Sequence, residues 1–123
     1  MSVALEVSPK RGIHVYAPGS SYRAIAVRVA EKTPFRLRTP VRYPPATLYT
    51  FKPLNEQVLV YQTAFKLTAD IGLTAAGAKT TSPGATVPLN LIVDYQACDD
   101  RVCYLPESVP LQWTVKLLPR RAP

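Results

Sequence analysis

The sequence predicts an all-β domain built as an antiparallel sandwich, and three observations carry this. Segment after segment alternates apolar and polar residues with period two. Thirteen prolines stand against five glycines in 123 residues, spaced so that they break any long helix and favour short strands and turns. No stretch of helical length repeats its apolar residues every 3.6 positions.

Residues 2–8 (SVALEVS) place Val3, Leu5 and Val7 on one face, and the turn-like PKRG leads into a second strand over 12–17 (GIHVYA). Residues 22–30 set Ile25, Val27 and Val29 against Ala24, Ala26 and Arg28. A short strand is expected at 35–39 and two more at 57–62 and 64–73. The clearest strand is 85–97, with Leu89, Leu91, Val93 and Tyr95 on one side. The last, 109–117, aligns Leu111, Trp113, Val115 and Leu117, and its tryptophan reads as core. Residues 40–56 (PVRYPPATLYTFKPLNE) are proline-rich, aromatic and aperiodic, and read as a long ordered loop of functional interest. Residues 75–84 read as a polar turn. About seven to nine short strands with regular breakers fit an immunoglobulin-like sandwich, a small barrel being the competing all-β solution. One domain is expected over residues 1–118, with 119–123 a tail or linker stub.

A chain of this length buries roughly two-thirds of the surface exposed by its unfolded form, so it folds without needing a disulfide. The net charge of +7 comes from scattered basic residues such as Lys10, Arg11, Arg36, Arg38 and Arg42. They are not clustered with exposed aromatics, which argues for a solvated basic surface and no nucleic-acid partner. No apolar run approaches the ~20 residues needed to span a bilayer. Residues 1–12 carry no apolar stretch of signal-peptide type. One histidine and no nucleophile elbow exclude Ser-His-Asp chemistry, and no phosphate-binding glycine loop is present.

The chemistry concentrates in residues 91–113, LIVDYQACDDRVCYLPESVPLQW, which hold both cysteines. Cys98 and Cys103 are spaced C-x4-C, which is not the C-x-x-C of a thioredoxin-type centre. A zinc site needs about four ligands. With His14 the only other soft or imidazole donor, the shell is incomplete, and no metal or other cofactor is expected. A disulfide across a short turn is geometrically easy. As a staple it is poor: closing a ring of six residues contributes about 2 kcal/mol in the chain-entropy model. Two readings stay open here: a bond meant to be made and broken, and a passive clip in a non-catalytic interaction module. Asp99 and Asp100 disfavour a thiolate at Cys98, and Arg101 favours one nearby. Tyr95 and Tyr104 flank the pair and are candidates to pack beside the sulfurs. His14 reads as a structural or surface histidine before a catalytic base.

The segment YQACDDRVCYLPESVPL resembles the end of the amino-terminal periplasmic domain of the DsbD family of disulfide reductases. GIHVYAPG is similar to the family's aromatic segment after its first strand, and the proline-rich loop followed by VYQTAFKLTADI fits the family's order. The likeness covers most of the chain and is specific over residues 93–111. It implies an immunoglobulin-like fold and a periplasmic or otherwise extracytoplasmic redox domain. The implied electron donor is a thioredoxin-like domain, and the implied clients are oxidised proteins with disulfides. Cys103 would form the mixed disulfide and Cys98 would resolve it. The resemblance also implies a cap loop with a shielding aromatic within residues 49–54, Phe51 first, Tyr49 and Leu54 as alternatives. Two departures stand out: Gly12-Ile13-His14 where an aromatic is common, and no acidic cap residue nearer than Glu56. The domain would belong to a larger membrane-anchored reductase or to another redox protein.

Overall fold

A computed structural model describes residues 1–20 and 22–117. The domain end at 118 and the tail expected at 119–123 lie outside the described residues. The elements in chain order are β1 (Ser2–Val7), β2 (His14–Tyr16), β3 (Ala26–Val29), β4 (Phe35–Leu37), β5 (Thr47–Phe51), a 3-10 turn (Lys52–Leu54), β6 (Glu56–Tyr61), β7 (Phe65–Leu73), α1 (Ala75–Thr80), β8 (Thr86–Tyr95), β9 (Ala97–Cys98) and β10 (Glu107–Lys116). All the strand pairs are antiparallel. They form the ladders β1-β7-β4, β10-β8-β3 and β5-β6-β2-β9. The protein is an all-β sandwich, as the alternation predicts.

The inward side chains of that alternation make one continuous core. Leu5 of β1, Leu67 and Ile71 of β7, and Leu89, Leu91 and Val93 of β8 are all buried in it. Fully burying one such aliphatic side chain is worth about 1.5–3 kcal/mol, so this cluster supplies most of what holds the ladders face to face. Trp113 is half-buried and packs on the same core from β10, an edge strand that tolerates Pro110 because one side of it needs no ladder partner.

Two expectations are corrected. Residues 40–56 are not all loop, because they contain β5 and the 3-10 turn, and β5 pairs with β6 from Thr47↔Val60 to Phe51↔Glu56. The run TLYTF alternates exposed Leu48 and Thr50 with half-buried Tyr49 and buried Phe51, but prolines on both sides hide so short a pattern. The preceding segment is tied down by two phenols. Tyr43 donates to the Ile25 carbonyl at 2.9 Å and Tyr61 donates to the Pro44 carbonyl at 2.7 Å. Residues 75–84 are likewise not a simple turn, since α1 occupies Ala75–Thr80. The Thr74 side chain caps it by accepting from the Gly77 N–H at 2.8 Å, satisfying a donor that the first helical turn leaves free.

Candidate functional site

The site forms where β2 lies between β6 and β9. Before β2 the chain turns sharply: the Ile13 N–H donates to the Lys10 carbonyl at 2.9 Å, and Gly12 sits at φ 81°, a left-handed conformation that suits glycine. The turn fixes the register in which His14 opposes Cys98 and Val15 opposes Ala97. Period two then sends Val15 to the main core, while His14 and Tyr16 share the other face with Cys98. There a second, smaller cluster is buried: Tyr16, Val58, Val60 and Cys98, with Tyr22 and Tyr49 packed against it.

Cys98 and Cys103 are joined by a disulfide, with Cα atoms 4.0 Å apart. They face each other as an isolated antiparallel pair. The flanking residues exchange the hydrogen bonds: Asp99 N–H to the Val102 carbonyl and Tyr104 N–H to the Ala97 carbonyl, both at 2.9 Å. The Asp99 carboxylate holds the turn by accepting from the Arg101 and Val102 N–H groups at 2.8 and 2.7 Å, the local bonding that makes aspartate a turn residue. It also accepts the Tyr104 hydroxyl at 2.8 Å. These donors, the backbone pair first, hold its carboxyl below the usual carboxylate range. Asp99 therefore shapes the hairpin as a fixed anion.

The two sulfurs are in unlike surroundings. Cys98 has no exposed surface, whereas Cys103 is exposed. The two residues of the pair thus differ in access, one of the factors that decides which sulfur of a disulfide is attacked. The Tyr16 hydroxyl lies 3.1 Å from both sulfurs. A disulfide has no proton to give, so the phenol is the donor. Burial first, and the charge of Glu56 second, push the Tyr16 phenol above its ordinary pKa, so it keeps that proton. Tyr16 stacks on Tyr22 with ring centroids 4.8 Å apart, and the Tyr22 hydroxyl donates to the Glu56 carboxylate. That bond is the main cause of a Tyr22 pKa pushed up to about 12.

The expected neighbours are distributed unevenly. Tyr49 packs against the Cys98 cluster, and its ring lies 4.2 Å from that of His14. Phe51 is buried near the end of β5, and Leu54 is 57% exposed on the 3-10 turn. The Tyr95 hydroxyl donates to Glu107 at 2.8 Å, and that of Tyr104 is taken by Asp99. Sequence reasoning missed Tyr16, whose hydroxyl reaches both sulfurs, and missed Tyr22. The signal for Tyr16 was present in GIHVYA, a strand with a histidine and a tyrosine two apart on the face away from the core. Beside the turn, Gly12, Ile13, His14, Tyr49, Gln62 and Asp100 line a cavity of about 440 Å³.

Residues 1–112 match the model of a family described as thiol:disulfide interchange protein DsbD, N-terminal. The chain belongs to this family. None of the curated proteins compared with the chain matches it. Membership in the DsbD N-terminal family, together with the Cys98–Cys103 bond, makes the chain a thiol–disulfide exchange domain that interacts with redox partners. DsbD N-terminal domains are extracytoplasmic, and among the described residues no helix is long and apolar enough to cross a membrane.

Proposed function

We propose that the Cys98–Cys103 pair relays reducing equivalents from a thioredoxin-like donor to oxidised periplasmic proteins, as part of a larger membrane-anchored reductase. The observation that carries this is the asymmetry of the sulfurs, with Cys98 sealed and Cys103 open. A donor thiolate attacks Cys103, the Cys98–Cys103 bond breaks, and the donor's second thiol completes its own disulfide, leaving two thiols here. The Cys103 thiolate then attacks a client disulfide, and one client sulfur leaves as a thiol. Cys98 closes back on Cys103 and releases the client with two electrons gained. Tyr16 stabilises whichever sulfur carries negative charge, because a hydrogen bond to a charged group is worth about 1.5–3 kcal/mol. Tyr49 is assigned the shielding role, since it packs on the cluster that contains Cys98. Phe51 then anchors β5, and exposed Leu54 belongs to the rim that partners meet.

The test is trapping. Cys98→Ser should accumulate a mixed disulfide through Cys103 with a thioredoxin-like domain, and Cys103→Ser should form none and transfer no electrons. Transfer by Cys103→Ser at the unmutated rate would sink the assignment. So would a native pair that reduced thioredoxin cannot open, which is the behaviour of a structural clip.

A further inference from the structure

His14 is 3% exposed, and among the described residues its Nε2 has no hydrogen-bond partner. A buried polar atom left unpaired costs about 1–3 kcal/mol, so an orphan of this kind calls for an explanation. It stands directly across the β2–β9 ladder from Cys98, where opposed Cβ atoms lie about 4.5–5.5 Å apart on the same face. The groups around it are Tyr16 on its own strand, Tyr49 from β5, Gln62 just after β6, Cys98 and Asp99 from β9 and its turn, and Asp100 across the cavity.

The other groups near the sulfurs are already committed. Tyr16 and Tyr22 are donors whose phenols resist ionisation. The Asp99 carboxylate is taken by two backbone N–H groups and the Tyr104 hydroxyl, and Glu56 is held by Tyr22. Burial lowers the His14 pKa against the smaller raising effect of Asp99, so the ring is neutral at neutral pH and keeps a free lone pair. The oxidised pair has no proton to offer that ring; reduction creates one, on the Cys98 thiol.

We infer that His14 takes up the proton of the Cys98 thiol as Cys98 resolves the mixed disulfide at Cys103, which rests on the relay proposed above. The S–H proton passes to the imidazole, and the Cys98 sulfur bonds to the Cys103 sulfur. The bond between Cys103 and the client breaks, and its electron pair leaves on the client sulfur, which takes a proton from the imidazolium or from water. The cysteine pair loses two electrons and the client gains them.

The experiment follows reduced protein mixed with 5,5′-dithiobis(2-nitrobenzoate) between pH 5 and 8. The first release of thionitrobenzoate reports attack by Cys103, and the second reports attack by Cys98. In the unmutated protein the second phase should be nearly independent of pH until the pH falls through the His14 pKa. His14→Phe keeps a ring against Tyr49, and His14→Gln keeps a polar but non-basic atom. In both, the second phase at pH 7 should slow by about 10²-fold, the low end for general-base catalysis, and should rise tenfold per pH unit. A folded variant with the unmutated rate and profile overturns the inference. So does a tenfold-per-unit slope without a bend in the unmutated protein, which needs no variant to fold. Absence of any second phase in the unmutated protein sinks the relay itself.

Discussion

The two buried clusters of this domain are built to different rules. The main core is filled largely by aliphatic side chains from alternating strands, with the Tyr61–Phe65 stack at its edge. The smaller cluster places a tyrosine, two valines and a cysteine on the opposite face of the β2 ladder, under Tyr49 and Tyr22, with His14 beside Cys98. The first maximises apolar area and contact density. The second gives up apolar area to bring a phenol, an imidazole and a disulfide within reach of one another. Stability and chemistry are thus separated by the thickness of one sheet, and Val15 and Tyr16, adjacent in sequence, belong to different sides of that division.

The strongest way to break this contrast is Leu91→Ala. Leu91 is fully buried in β8, between Val29 of β3 and Leu111 of β10. Removing it leaves a cavity at the centre of the ladder, and urea unfolding should show a loss of about 2–5 kcal/mol. Thiol exchange per folded molecule should stay within about twofold, since the site lies on the far face of another ladder. A larger change in the exchange rate of the folded variant would show that the clusters are coupled.

Tyr16→Phe tests the other side. It keeps the ring stacked on Tyr22 and removes the hydroxyl that reaches both sulfurs. A lost hydrogen bond to developing thiolate charge, about 1.5 kcal/mol, corresponds to roughly tenfold slower exchange. Stability of the oxidised form should change by no more than about 1 kcal/mol, because the sulfurs of a disulfide are weak acceptors. Stopped-flow exchange with a small disulfide and parallel urea curves separate the two effects. A loss of stability without a loss of rate would make Tyr16 a packing residue.

The same division explains what the sequence disclosed. Long ladders were legible because each side chain of β7 or β8 obeys period two over nine or ten residues. The cysteine hairpin was legible because its signals are local: two cysteines, an aspartate at the turn, and flanking aromatics. β5 was not, because five residues between prolines give too short a pattern, and its strand character comes from pairing with β6. α1 was not, because six residues hold less than two turns and depend on the Thr74 cap. Tyr16 and Tyr22 escaped for a different reason. They lie 82 and 76 positions before Cys98; the β2–β9 register brings Tyr16 to the sulfurs, and Tyr22 joins the cluster by stacking on Tyr16.

His14 offers the finest test of the contrast, through pH alone. Among the described residues it is the only polar or charged group in the buried set apart from the tyrosines, whose phenols do not titrate near neutrality. Burial lowers its folded-state pKa below the ordinary 6.5, so on acidification the unfolded chain takes up a proton before the folded one does. Stability is then fully present above pH 6.5 and is lost as pH falls toward and through the folded value. His14→Phe removes this proton uptake while retaining a ring beside Tyr49. Urea midpoints measured at pH 7 and pH 5 should therefore converge in His14→Phe relative to the unmutated protein, where the pH 5 curve should sit lower. Equal pH dependence in the two proteins would mean that the ring is hydrated in the folded state, and that the small cluster is open to water where it covers Cys98.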